Sequence, residues 1–516
     1  MKKKLGSLGL VIASVVLLSA CGDNAAELQE VSLTVCTVGN PVVGDVGDGT
    51  YIYGGDPSAL VDGDTVYLYT GHDTAVKEEY IIPEYLCYSS KDLVNWKDEG
   101  VVMKADKATV SWASTNTSAW AAQVAKHYDA AAGKDKYYLY FCTWDATSNG
   151  KQSIGVAVSD SPTGPFVDIG QPLVKGTVTE PQSSDWNDID PTVWIETDAN
   201  GVEHRYLAWG NGNYYICELN EDMISVMDRN GDGQITCGGD GDIVQKAVGS
   251  YTEAPWLYRR QDENGRYYGD YYLFYASGWR EGMTYATTDD LFKGTWMYGD
   301  VIGAPSATSN TNHMAVIDFK GKTYFVYHNG ALPGGSGFRR SACIRELVFN
   351  ADGSIDPFEE TASGVSGTAN EIALMEGGSL SHAYFSNSAA DNAYPYMNVA
   401  IGIYENAKEL DALWVLRPGK ADRSNEAYIS IESENKQGLF FTANEDGSVT
   451  LAQETKVDAD MEARQTFRTV KGLADKEGVS FESVSQPGKF LTVKDGVLVL
   501  SDGSDKAGAT FFVTEK

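Results

Sequence analysis

The stretch DFKGKTYFVYHNG, residues 318–330, reads as a tight turn feeding a strand. Lys320-Gly321-Lys322 is the turn, and Tyr324-Phe325-Val326-Tyr327 is a run of β-formers without a polar break. The run has four counterparts: Val66-Tyr67-Leu68-Tyr69, Tyr137-Tyr138-Leu139-Tyr140, Tyr206-Leu207-Ala208-Trp209 and Tyr271-Tyr272-Leu273-Phe274. Starts at Tyr67, Tyr138, Tyr206, Tyr272 and Tyr324 lie 71, 68, 66 and 52 residues apart. Several copies continue into a second strand and a turn bearing Gly or Trp, as in CYSSKDLVNW, VAVSDSPTGPF and YATTDDLFKGTW. Five copies of a small antiparallel sheet predict an all-β chain with a five-bladed β-propeller over residues 46–365. The spacings exceed a four-stranded blade, so insertions are expected. An all-β sandwich is the alternative, and it leaves the internal similarity unexplained.

The rest of the chain divides around that unit. Its 516 residues call for two or more domains. With 30 Tyr and 54 Gly, it suits short strands joined by tight turns. A formal charge of −32 argues against nucleic acid as a partner and leaves a neutral polysaccharide open. Lys2, Lys3 and Lys4, the apolar run Leu8 to Leu18, and Leu18-Ser19-Ala20-Cys21 read as a signal peptide over 1–21. Its end resembles a bacterial lipobox, so Cys21 is expected to carry lipid and to anchor an exported lipoprotein to a membrane, at the cell surface or in the periplasm. An ordinary secretory signal is the other reading. Residues 22–45 are small, polar and acidic and read as a tether. The six later cysteines show no CxxC pair and no zinc spacing. Cys87, Cys142 and Cys217 fall in strand-like apolar runs and are expected as buried thiols.

Past about residue 375 the character changes. WVLRPGKAD at 414–422 leads to ISIES at 429–433, and FRTVKGLAD at 467–475 leads to VSFES at 479–483. A third fragment, Phe511-Phe512-Val513, closes the chain. Repeats of about 50 residues rich in short strands predict a β-trefoil-like domain over 376–516.

Three acids stand in distinctive frames: Asp56 in YIYGGDPSALV, Asp190 in WNDIDPTVWI and Glu253 in SYTEAPWLY. Each sits at or just before a proline, which removes a donor and is expected to hold the chain extended at the inner end of a strand. Three carboxyls aimed at one cavity supply what glycosidic cleavage needs: an acid, a base and a group that tunes the acid. Taken singly, an Asp-Pro is a turn or strand-start device. Trp120 and Trp186 offer faces for a sugar ring, or core packing. Asp228, Asn230, Asp232 and Gln234, with Gly233 at the turn, follow an EF-hand-type spacing and suggest a structural calcium. The twelfth position is Gly239 rather than an acid, and a plain acidic hairpin is the other reading.

Residues 50–360 resemble glycoside hydrolase family 43, through GGDPSAL, WAAQV, DIDPTVW, LNEDMIS, TEAPWLY, YASG, NTNHM, DFKGKTYFVYHNG and GGSGFRRS in that order. The resemblance implies a five-bladed propeller that inverts, with Asp56 as general base, Glu253 as general acid and Asp190 as the group raising the acid's pKa. It implies substrate contact for Arg340, and a place near the propeller axis for His313, by a metal or by substrate. It points to release of α-L-arabinofuranosyl groups from arabinoxylan or arabinan of plant cell walls. A β-xylosidase with the same carboxylates is the nearest alternative, and a non-catalytic glycan-binding lipoprotein is one from another class. The tail resembles the arabinofuranosidase B-type trefoil, carbohydrate-binding module family 42. That family binds arabinose through histidines in strands matching Phe440-Phe441-Thr442-Ala443 and Phe490-Leu491-Thr492-Val493, whereas no histidine follows His382 here.

Overall fold

The computed structural model describes residues 28–182, 184–238, 241–383 and 397–516. Cys21 and the signal segment lie outside the described residues. Four antiparallel four-stranded sheets and one three-stranded sheet follow each other along the chain, at 54–104, 123–168, 192–246, 253–303 and 315–347. In each, strand order is sequence order. The first strands, Gly54–Asp62, Gln123–Asp129, Thr192–Thr197, Glu253–Gln261 and Ala315–Phe319, neighbour one another in a closed ring. That ring makes the sheets the five blades of a propeller. The Tyr-rich runs are the second strand of every blade. A second strand is paired on both edges and covered on both faces, which is why its apolar run is unbroken. Rings such as Tyr69, Tyr140, Tyr275 and Tyr327 are almost fully buried between blades.

The fifth blade has only three strands, and the chain ahead of the first blade completes the ring. The Val42 amide donates to the Ala342 carbonyl at 2.9 Å, and Asn40 Oδ1 accepts from the Ile344 amide at 2.8 Å, both on the outer strand Ser341–Leu347. The same segment runs back over the second domain, through Val31 to Thr469 at 3.1 Å and Cys36 to Leu416 at 2.7 Å. Residues 28–45 are therefore a packed strap rather than a tether. Val31, Leu33 and Val35 bury apolar surface against the second core, and Asn40 hydrogen-bonds Tyr327, Ile344, Thr361, Ala362 and Arg417.

In the second domain six strands form a closed barrel. Leu413–Pro418 pairs Tyr428–Ser433, which pairs Phe467–Lys471, then Val479–Ser483, Phe511–Glu515 and Asn370–Leu374, which returns to Leu413–Pro418. Three hairpins cap it: Ser381–His382 with Met397–Gly402, Leu439–Ala443 with Val449–Gln453, and Phe490–Lys494 with Val497–Ser501. This is three-fold trefoil architecture. The third repeat is built from both ends of the domain: Phe511–Glu515 completes its strand pairing with Asn370–Leu374. Barrel closure abolishes exposed sheet edges.

All six described cysteines are free thiols, with Cys87, Cys142, Cys217 and Cys343 buried in blades. Among the described residues no helix is long and apolar enough to cross a membrane.

Candidate active site

Every blade's first strand begins near the axis, so residues at its leading end face one another. Asp56 lies in Gly54–Asp62, Asp190 two residues ahead of Thr192–Thr197, Glu253 at the start of Glu253–Gln261, and His313 two ahead of Ala315–Phe319. The local geometry differs from the extended form expected before proline. Asp56, Asp190 and Ala254, each directly followed by proline, have φ of 51°, 58° and 56°. Proline disfavours the right-handed helical region for its predecessor, and here the chain turns left-handed instead. Ladder register slips at the same places, between Gly55 and Ser58 and between Glu253 and Trp256. A bulge of this kind re-aims a side chain; two of them turn Asp56 and Glu253 toward the axis, and the left-handed turn ahead of Pro191 does so for Asp190. Held non-glycine φ values of this sign cost energy and persist where surrounding packing over-determines them.

Asp56, Asp190 and Glu253 line one cavity of about 540 Å³. Trp120, Trp186, Arg340 and His313 line it too, so every residue expected at the propeller site is gathered there. The reading also missed several members: Tyr80, Trp144, Asn211, Trp279 and Glu281 share the wall. Trp279 and Glu281 directly follow the YASG motif, and His328 sits inside YHNG, so position in a motif was the available signal. Asp73 had none.

Charge is distributed unevenly. Arg340, 2% exposed, donates through Nη1 to Asp56 Oδ1 at 2.5 Å and through Nε and Nη2 to Asp73 at 2.8 and 2.9 Å. Gly55 makes room for it, since a Cβ there would collide with the guanidinium. Burial alone would raise Asp56, but the charge and the hydrogen bond of Arg340 outweigh it and hold the carboxyl below its ordinary value. Asp73 shares the guanidinium yet is pushed up, because its full burial and the Asp56 charge prevail. His328 Nδ1 takes the Asp56 amide at 3.1 Å, so that nitrogen is unprotonated. Burial pulls His328 to about 3 and His313 to about 4, leaving both neutral.

The opposite wall is built to keep protons. Asp190 is 6% exposed, and burial followed by the Glu253 and Asp56 charges raises it far above the carboxylate range. Its Oδ2 accepts the Ala254 amide at 3.0 Å, tying it to the residue after Glu253. Glu253 is raised by burial first and by Asp56, against hydrogen bonds from Glu281 and Asn211. One carboxyl held ionised and one held protonated across a cavity is an acid–base pair.

Trp186 and Trp279 are 46% and 74% exposed at the mouth, while Trp120 meets Trp144 and Tyr80 edge-on inside. The acidic loop lies away from this cavity. Asp228 accepts the Gly231 and Gly233 amides at 2.7 and 2.8 Å, Asn230 that of Asp232 at 2.9 Å, and Asp232 that of Gln234 at 2.8 Å. Among the described residues no group of three or more His, Cys, Asp or Glu side chains is gathered to hold a metal, either in this loop or around His313.

The family model for glycosyl hydrolases family 43 matches residues 51–355, and that of the alpha-L-arabinofuranosidase B (ABFB) domain matches residues 430–515. A xylosidase/arabinosidase of Bacteroides ovatus is 29% identical over 60% of this chain and 95% of its own length. An arabinoxylan arabinofuranohydrolase of Bacillus subtilis is 29% identical over 69% of this chain and 71% of its own. The crystal structure of a Bacillus subtilis family 43 arabinoxylan arabinofuranohydrolase in complex with cellotetraose is 25% identical, covers 73% of this chain and 79% of that one, and superposes with a TM-score of 0.49. With a propeller of five blades, a cavity of paired carboxyls at its axis and a family match over more than half its length, this chain is a glycoside hydrolase and belongs to glycosyl hydrolases family 43.

Proposed function

We propose that the enzyme removes α-L-arabinofuranosyl groups from arabinoxylan or arabinan-type hemicellulose with inversion. Asp56 is the general base, Glu253 the general acid and Asp190 the group that keeps the acid protonated. The observation that carries this reading is the split across one cavity: Arg340 pins Asp56 as a carboxylate, while the buried Asp190–Glu253 side retains protons. Asp56 takes a proton from water, whose oxygen attacks the anomeric carbon. Glu253 gives its proton to the departing glycosidic oxygen, which keeps the bonding pair. The relatives named for arabinoxylan support the arabinose reading. A β-xylosidase with the same carboxylates remains the second reading, favoured by relatives named for both sugars. Trp186 and Trp279 at the mouth suit sugars of the polymer beyond the one cleaved.

Two further expectations join the proposal. Cys21 carries a lipid that anchors the exported chain to a membrane. Calcium binds the 228–242 loop, supported by its alternating oxygen donors and by Gly233 at φ 80° in the sixth position.

Asp56→Asn and Glu253→Gln test the assignment, assayed on nitrophenyl arabinofuranoside and xyloside and then on arabinoxylan. Each is expected to lose about 10²–10⁴-fold in rate on arabinoxylan while folding normally. Near wild-type turnover by either would overturn its role, and faster cleavage of xyloside than arabinofuranoside would favour the second reading.

A further inference from the structure

Asn211 shares the cavity wall with the three acids and has no part in the mechanism they carry. It stands in Gly210-Asn211-Gly212-Asn213, the turn between the second and third strands of the third blade. Gly210 has φ 132°, and a Cβ there would run into the Asn213 carbonyl, so glycine closes the turn. The approaches to two of the acids grip this turn. The Asn211 amide donates to the Asn187 carbonyl at 2.9 Å, and the fully buried Asn187 returns its Nδ2 to the Asn211 carbonyl at 2.8 Å, three residues ahead of Asp190. The Gly210 amide donates to the Ile189 carbonyl at 2.9 Å. From the other side the Gly212 amide donates to the Thr252 carbonyl at 2.7 Å, and Tyr251 Oη to the Gly210 carbonyl at 2.6 Å, just ahead of Glu253. With its backbone fixed in this way, Asn211 donates through Nδ2 to Glu253 Oε2.

We propose that Asn211 is a positioning residue for the general acid: its amide holds the Glu253 carboxyl by Oε2, leaves the transferable proton on Oε1, and steadies the carboxylate that remains once the proton has gone. This deepens the reading of Glu253 as acid and rests on it. An N–H donor prefers the carbonyl-type oxygen of a protonated carboxyl, because the hydroxyl oxygen is the poorer acceptor. During cleavage the Glu253 O–H bond breaks and its proton passes to the glycosidic oxygen, which keeps the bonding pair from the anomeric carbon. Negative charge grows on Glu253 as this happens, and a hydrogen bond to an ionised acceptor is roughly twice as strong as one to a neutral acceptor. The contact is therefore stronger in the transition state than in the resting enzyme, and only such contacts speed the chemical step. The proton that Asp56 took from water returns to Glu253 through solvent, so the cycle adds one water across one glycosidic bond. Burial and the Asp56 charge make Glu253 keep its proton, and the Asn211 amide works the other way, so that the acid can also release it. The other ionisable groups around Glu253 are Asp56, Asp190, Glu281, Arg340, Tyr80 and the neutral His313 on the cavity wall, and Tyr251 just ahead of it in the chain.

The test compares wild type, Asn211→Leu and Glu253→Gln on two arabinofuranosides, one with a dinitrophenyl leaving group that departs unprotonated and one with a xylo-oligosaccharide leaving group that must be protonated. Leucine matches asparagine in branching and has no donor. Asn211→Leu is expected to lose about 10–100-fold in kcat/KM on the xylo-oligosaccharide substrate, short of outright loss of the acid, and under about 3-fold on the dinitrophenyl one. The alkaline limb of its pH profile on the xylo-oligosaccharide substrate is expected to rise by about one unit, because a donor that favoured the Glu253 carboxylate has gone. Equal losses on both substrates, or an alkaline limb that stays in place or falls, would make Asn211 structural only and overturn the proposal. Glu253→Gln reports separately: if it cleaves the xylo-oligosaccharide substrate like wild type, the acid assignment itself has failed. If Asn211→Leu does not fold, Asn211→Ala must show the same leaving-group selectivity and the same raised limb; uniform losses or an unmoved limb there count against the proposal.

Discussion

Replacing Arg340 with methionine keeps the aliphatic stem and removes the charge between Asp56 and Asp73. Nη1 stands 2.5 Å from Asp56 Oδ1, which puts the charge centres roughly 4 Å apart. At an effective dielectric constant of about 20 such a pair is worth about 4 kcal/mol, or about three pKa units. Arg340 divides its attention with Asp73, so about 1–3 units is the expected rise in Asp56. In wild type the Asp56 carboxyl is depressed, so the base is ionised across the working range and its pairing stabilises the fold above the ordinary carboxylate pKa. That stabilisation fades as pH falls through the depressed value. In Arg340→Met the sign reverses: both carboxyls are raised by burial, and the fold loses stability as pH climbs through their new values. Stranding two buried acids costs about 3–5 kcal/mol near neutrality. The assay is kcat/KM on nitrophenyl arabinofuranoside against pH, with thermal melts at each pH. The acid limb is expected to move up by about 1–3 units, and the melting deficit to narrow on acidification. An acid limb that stays in place would refute the claim that Arg340 sets the ionisation of the base.

Other outcomes follow from single contacts. The product of arabinofuranoside cleavage is expected first as the inverted anomer by early-time proton NMR; the retained anomer would require a covalent intermediate and a different reading of Asp56. Trp279→Ala is expected to raise KM several-fold on arabinoxylan oligosaccharides while leaving the aryl glycoside and the melting temperature nearly unchanged, because the ring is 74% exposed at the mouth. Gln437, fully buried, reaches from the trefoil to Tyr327 Oη at 2.8 Å and the Thr361 carbonyl at 2.6 Å in the propeller; Gln437→Ala is expected to cost about 1–3 kcal/mol by leaving those groups unpaired, read as a lower melting temperature. Chelation is expected to lower the melting temperature, and the double change Asp228→Ala with Asp232→Ala to abolish that shift; equal melts with and without chelator in the wild type would make the loop an acidic hairpin.

Periodicity and punctuation were legible in the chain itself. A run such as Tyr324-Phe325-Val326-Tyr327 announces a doubly flanked strand because its neighbours on both edges and both faces are protein, and five such runs announce five blades. The three acids were visible for a related reason, since a left-handed residue held just before proline leaves a sequence frame that repeats. What the chain could not announce was anything that depends on meeting a distant partner. Residues 28–45 look like a polar tether until they are laid beside the outer strand of the fifth blade, where Asn40 and Val42 find partners some three hundred positions away. The trefoil's third repeat is split between its two ends and becomes one only when the barrel closes. Asp73 carries no local signature, because it acts through an arginine far along the chain. Local pattern records which faces will be buried. Ionisation is a property of the neighbours that burial assembles, and only the tertiary structure decided which carboxyl in this cavity keeps its charge and which keeps its proton.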